Sequence, residues 1–281
     1  MVSVVSDSLI WCLRGSIASM VALLFVSCVS TIPKDISIPS GQSTPIENYA
    51  LIWDEASQGC RGVSRLDFLG YFRGRVGNRT LRRTRVRAAA AVPGALRLEG
   101  LAPFGAPVFV LVARPEEAVL LLPRDRQFVK HELARDILHA LTGLALEPDE
   151  VRSLLTGCVV PEGEAISGRS YGNGWVSIGL DGDANVYVEH VNAEWLIAFG
   201  TQRDLIVEYS GHVNGLPRSV RVQAGTEMER ADLTIDLAQV RVNTELAPEV
   251  FVPVIPDDFR SATLDEIRRH PPTDGRPARL R

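Results

Sequence analysis

His131 and Glu132 stand as the opening pair of a zinc-protease helix motif would, but that motif needs a second His four residues on, and Arg135 stands there. The spacing matters because two imidazoles one turn apart share a helix face. His139 lies two turns from His131, and no third ligand is marked. Asp181, Asp183 and Asn185 begin like a calcium loop. The sixth position of such a loop is Gly for the sharp turn and the twelfth is Glu, whereas here they are Val186 and Asn192. A β-hairpin turn suits this stretch better. There is no G-x-S-x-G elbow and no marked Cys/His pairing. Gly172-Asn173-Gly174 lacks the helix and Lys-Ser/Thr of a phosphate loop. Carboxylates are common, and nothing singles out two of them. The expectation is a protein that is not an enzyme and uses no metal or cofactor.

Composition narrows the class further. The chain has 281 residues, of which 46% are hydrophobic and 23% charged, so it is globular rather than disordered as a whole. Its net charge of −4 argues against a nucleic-acid binder. Few Met and aromatic residues, with Val/Leu/Ala/Gly runs spaced by Arg, favour strands over a helical bundle. Residues 1–27 read as a signal peptide: only Asp7 and Arg14 are charged, and Ser16 to Val26 is apolar but short for a membrane span. Phe25-Val26-Ser27-Cys28 resembles a bacterial lipobox, which implies acylation of Cys28 as the new N-terminus and anchor. The alternative is an ordinary cleaved signal with an incidental cysteine. Cys12 leaves with the signal, and Cys60 and Cys158 remain. Export permits a bridge between them, yet their separation says nothing about pairing, and two separate buried thiols are favoured.

These residues need elements to hold them. Residues 28–44 are Pro- and Ser-rich and read as a flexible tether. A helix over 45–59 is expected from Thr44 as N-cap, Pro45 in the first turn and Glu47 as capping-box partner. From Leu66 the period changes to two, and short polar turns join strands through Lys130. Helices over Leu133–Thr142 and Pro148–Thr156 follow, stopped by Gly143 and Gly157. Residues 157–173 read as a Gly-rich connector, and a second set of strands runs from Trp175 to Val242. About a dozen strands at even spacing imply a large antiparallel sheet or barrel. Residues 45–252 make the domain. Residues 253–281 read as a Pro/Arg-rich tail with a short helix at Leu264–Arg269. Within the strands, Arg83, Arg85 and Arg87 share one face and Arg82 points to the other. That cluster, with Arg79, is either a solvated outer face or an attraction for acidic headgroups or an acidic partner.

The segment from Arg97 to Val108 is strand, Pro-x-Gly turn, strand, and it sets Phe104 between Pro103 and Gly105. Phe104 either tucks over the edge of the core or stands out to meet a membrane or partner. This segment, followed by Leu141-Thr142-Gly143, Pro148, Arg152, Leu155 and Gly157 after an exported lipobox, resembles the LolB-like outer-membrane lipoprotein receptors. The resemblance implies an α+β fold, in which an incomplete antiparallel barrel encloses a helical lid, with an N-terminal helix. It implies an apolar cavity for acyl chains, and a protruding apolar residue in the Pro-x-Gly loop for membrane insertion, the place held by Phe104. Candidate cavity residues are Phe109, Leu111, Val119, Leu121, Leu138, Leu141, Leu155 and Trp175, each of which ordinary core packing also explains. Implied partners are acyl chains or lipoprotein cargo, a LolA-like periplasmic carrier, and the membrane through the lipid anchor. The implied protein is a monomer on the periplasmic face of the outer membrane. A rival class is a structural or assembly lipoprotein whose half-barrel docks a protein and holds no lipid. An envelope-polymer hydrolase is a third, for which no constellation of residues exists.

Overall fold

The computed structural model describes residues 36–225 and 230–269. The signal peptide, Cys28, the first part of the tether and residues 270–281 lie outside the described residues. The first half of the sheet is set by alternation of apolar and polar residues in its early strands and by almost continuous apolar runs at 107–113 and 118–122. After a two-residue β1 (Thr44–Pro45) that pairs with the second half, it runs through β2 (Arg65–Val76), β3 (Arg79–Ala91), β4 (Ala95–Leu101), β5 (Pro107–Arg114), β6 (Glu117–Leu122) and β7 (Gln127–Lys130). The second half comprises β8 (Ala165–Gly172), β9 (Trp175–Leu180), β10 (Ala184–Val191), β11 (Glu194–Gln202), β12 (Leu205–Ser210), β13 (Ser219–Ala224) and β14 (Ala231–Val242). A two-residue strand, β15 (Arg260–Ser261), comes last.

Among the described residues these form one 15-stranded sheet in the order β1-β8-β9-β10-β11-β12-β13-β14-β2-β3-β4-β5-β6-β7-β15. The ends do not meet, so the sheet is open. Neighbours are antiparallel, apart from β15 on β7, which is parallel. The halves join where β14 pairs with β2, so the chain returns to its first long strand after a long excursion. Continuous pairing leaves only the short flanking strands as edges, which limits unwanted strand addition.

Four α-helices accompany the sheet among the described residues: α1 (Tyr49–Arg61), α2 (Ala134–Thr142), α3 (Pro148–Thr156) and α4 (Leu264–Arg269). The glycine stops operate as expected. Gly143 and Gly157 take left-handed φ values of 77° and 104° directly after α2 and α3, where a Cβ would be strained. The α1 boundary differs from expectation. Thr44 and Pro45 pair with Ser170 and Arg169 of β8 instead of starting a helix, and α1 begins after Asn48. Tertiary pairing overrides the local capping signal here. The supposed connector also differs, because residues 165–172 are strand β8. Gly168 makes this possible: a Cβ there would come within 2.3 Å of the Tyr49 side chain on α1.

One main core unites the inward side chains of the sheet with Trp53 of α1, Ile137 and Leu141 of α2, Leu154 of α3, and Leu264 and Ile267 of α4. A second, smaller core lies on the other face, where Val110, Val112, Val119 and Leu121 pack beneath Phe128, Ile255 and Phe259. Residues 253–269 are therefore a packed strap and not a free tail. Ile255 and Phe259 cover the outer face, β15 extends the β7 edge, and α4 returns to the main core. Cys60 and Cys158 form a disulfide, contrary to the favoured reading of two separate thiols. It fastens the end of α1 to the residue after the α3 stop, a pairing that only the three-dimensional path brings about.

Candidate functional site: an apolar cavity beneath two helices

The inward faces of β2, β3, β4, β5, β13 and β14 meet the undersides of α2 and α3 around a small cavity of about 100 Å³. Phe68 and Phe72 line it from β2, Val86 from β3, Leu98 from β4 and Phe109 from β5. Val220, Val222, Leu233 and Ile235 complete the sheet side. Leu138, Leu141, Leu154 and Leu155 close it from the helices, with Leu144 and Leu146 from the loop between them. Among these lining residues only Thr142 has a polar side-chain atom, and its hydroxyl donates to the Leu138 carbonyl at 2.7 Å. Every surface facing the cavity is thus apolar or internally satisfied, so it offers an apolar guest no competing polar group.

The space is small. Ligand pockets commonly measure about 300–1,000 Å³. An acyl chain can enter only if the helices, or their side chains, move aside. The two helices are held differently. The Asp149 carboxylate of α3 accepts from the Gly94 amide at 2.9 Å, Arg152 donates to the Val63 carbonyl, and the disulfide holds the chain just past its end. The apolar face of α2 is seated by Ile137, Leu138 and Leu141 in the main core, and α2 packs against β6 and α4.

Four of the expected cavity residues line this space: Phe109, Leu138, Leu141 and Leu155. Leu111 is fully buried in the main core but does not line it. Val119 and Leu121 lie on the opposite face, in the second core. The reason is register. Leu111 pairs with Leu120, and Val112 with Val119, so even positions of β6 share a face with odd positions of β5. Trp175 also faces away from the cavity. Its neighbours Val176 and Ile178 alternate into the core, while its ring lies 5.8 Å from that of Phe199. Sequence reading passed over Phe72, Leu98 and Ile235; alternation marked these strands, but only pairing across β14, β2, β3 and β4 brings their faces together.

The hairpin that lends Leu98 and Phe109 to the cavity carries Phe104 at its tip. The Gly105 amide donates to the Ala102 carbonyl at 2.8 Å, closing a turn with Pro103 and Phe104 at its centre. Proline presets φ at the first central position, and Gly105 takes the left-handed φ of 85° that follows such a turn. Phe104 stands clear of the core and is fully exposed, at 101%. The alternative of a ring tucked over the core edge is not what the chain adopts.

The other sequence candidates are dispersed. Among the described residues no three His, Cys, Asp or Glu side chains converge as a metal site would require. Arg83 and Arg85 are exposed; Arg83 lies over the Tyr71 ring, 3.4 Å from its centroid, and Arg87 is 3.8 Å from Glu99. A separate open cleft of about 770 Å³ flanks α1, with Trp53, Arg61, Arg152, Glu162 and Glu164 on its walls. Arg61 is engaged there, donating to the Pro161 and Gly163 carbonyls and stacking over Trp53. Among the described residues no helix is long and apolar enough to cross a membrane.

No protein-family model matches the sequence, and no curated protein sequence matches it. Solved structures show partial similarity. A LolA superfamily protein from Nitrosomonas europaea is 8% identical with a TM-score of 0.48, covering 72% of this chain and 96% of its own. A DUF1329 family protein from Desulfovibrio piger is 10% identical with a TM-score of 0.44, covering 73% of this chain and 95% of its own. An outer membrane lipoprotein-sorting protein domain from Vibrio parahaemolyticus is 8% identical with a TM-score of 0.44, covering 72% of this chain and 95% of its own.

Proposed function

We propose that this chain is a lipid-anchored protein that binds acyl chains between its open sheet and the α2–α3 pair. On this reading it receives lipoproteins, or related lipids, and helps insert them into the outer membrane from its periplasmic face. It acts as a monomer and without catalysis, in the manner of the LolB-like receptors. The observation that carries the reading is the cavity: apolar on every side, and roofed by helices whose own apolar faces supply the filling. α2 and α3 then serve as a lid that occupies the lipid site when no lipid is present. The exposed Phe104, on the hairpin whose stem lines the cavity, is the element that enters the membrane.

Native mass spectrometry of the full chain tests this directly, by reading Cys28 acylation and bound lipid together. Acyl chains that leave only on denaturation support the reading. An empty protein that also fails to take up a fluorescent fatty acid overturns it and favours a protein-docking module. Phe104→Glu is expected to leave folding and fatty-acid uptake intact while abolishing delivery into liposomes. Unchanged delivery rejects the role of the tip.

A further inference from the structure

Phe104 does not stand alone at its end of the sheet. Arg85 of β3 lies opposite Leu101 of β4, so residues 79–84 of β3 continue toward the end where the chain turns through 102–106. On the other side, Val110 pairs with Leu121 and Leu121 with Phe128, which brings the turn at 123–126 to the same end. The hairpins flanking Phe104 are both basic. Arg75, Arg82 and Arg83 belong to the first, and Arg124 and Arg126 to the second. Between Asp67 and Glu99 the chain has no acidic residue at all. Arg75, Arg82 and Arg124 are exposed and make no ion pair among the described residues. Among the described residues, the carboxylates near these hairpins include Asp125, in the second turn, Asp258, which lies 3.4 Å from Arg126, and Asp232, which stands opposite Arg75 and is held by Arg221. In a chain whose net charge is −4, this is a local concentration of positive charge around one apolar ring.

We propose that this end of the sheet docks on an anionic phospholipid bilayer, with Phe104 entering the acyl region and the flanking arginines meeting headgroup phosphates. The inference rests on the membrane-insertion reading above and adds the lipid class. An acidic protein would engage the arginines but would need a matching pocket for the phenyl ring at the Pro-x-Gly tip, and a nucleic acid would need an unstacked base face to take it. A bilayer rewards both, because the ring gains an apolar medium just beneath a layer of phosphates. Each arginine near such a surface multiplies affinity about fivefold, and salt screens the effect.

The test uses residues 36–281, which form a compact unit, so that no acyl anchor or signal segment contributes. Cosedimentation is measured with phosphatidylcholine vesicles and with vesicles containing about 30 mol% phosphatidylglycerol. Binding is expected to be at least about tenfold stronger to the anionic vesicles and to vanish near about 0.5 M NaCl. The double variant Arg82→Glu/Arg124→Glu is expected to lose at least about tenfold on anionic vesicles with its thermal midpoint unchanged. Equal binding to both vesicles, or a double variant that binds like the parent, overturns the proposal. Anionic-vesicle binding that persists in a protein unable to take up fatty acid supports this docking surface while counting against the acyl-binding reading.

Discussion

Gly100 leaves the space that the ring of Phe109 occupies. The two residues face each other across β4 and β5, and a Cβ on Gly100 would lie 2.3 Å from Cε1 of that ring. The ring lies across the glycine and lines the cavity, so a missing side chain on one strand sets the shape of the site.

Gly100→Ala is therefore expected to push the Phe109 ring out of place and cost about 1–3 kcal/mol of stability. Phe109→Leu in the same chain should recover part of that loss, because the smaller side chain vacates the contact. A double-mutant cycle by urea unfolding checks this. Additive effects of the two substitutions would show that the close approach does not govern the site.

The disulfide between Cys60 and Cys158 closes a loop spanning 98 residues of sequence. Loops of that length confer roughly 2–5 kcal/mol on removal of unfolded-state freedom. Cys60→Ala/Cys158→Ala is expected to lower stability by that order. Neither cysteine lines the cavity, so fatty-acid affinity should change little. Thermal unfolding and a fluorescent fatty-acid titration separate the two effects.

The strap ends in α4, whose Leu264 and Ile267 join the main core, and α4 packs on α2. Ile267→Ala removes part of the seat of α2. The expected cost is about 2–5 kcal/mol if the loss is global. If α2 is the part of the roof that lifts, fatty acid should also enter faster, as stopped-flow fluorescence would show. Slower or unchanged entry would locate the moving part elsewhere.

On the outer face, Asp232 accepts from Arg221 Nη2 at 2.7 Å and from Gln223 Nε2 at 3.0 Å. Burial pushes its carboxyl pKa up, but these bonds and the charges of Arg221 and Arg230 outweigh burial and hold it below its ordinary value of 3.8. The sign follows: folding favours the ionised form. Its stabilisation is complete above the unfolded-state value and fades as pH falls through the lower folded-state value. Asp232→Asn is expected to cost about 1–3 kcal/mol at neutral pH, with the gap to the parent narrowing only below about pH 4. A gap that is the same at low and neutral pH would disprove the charge-based account.

Much of the molecule was legible in the chain because local rules govern it. Period-two alternation marked most strands, Gly143 and Gly157 ended α2 and α3, and Pro103 with Gly105 marked the turn that carries Phe104. Those features depend on residues within a few positions of one another. The inward face of β5 and the apolar faces of the helices followed from the same rules, and Phe109, Leu138, Leu141 and Leu155 lie on those faces.

Tertiary structure decided what depends on distant segments. The face of Val119 and Leu121 turned on the β5–β6 register, which a one-residue shift reverses. Thr44 and Pro45 became strand because β8 was there to pair with them, and β8 itself needed Gly168 to admit α1. Cys60 met Cys158, and the C-terminal strap found an apolar outer face to cover, only once the strands between them had assembled. Alternation states that a residue is inward or outward on its own strand. Which inward faces share a cavity is set by pairing among strands far apart in the chain, and local sequence does not encode that pairing.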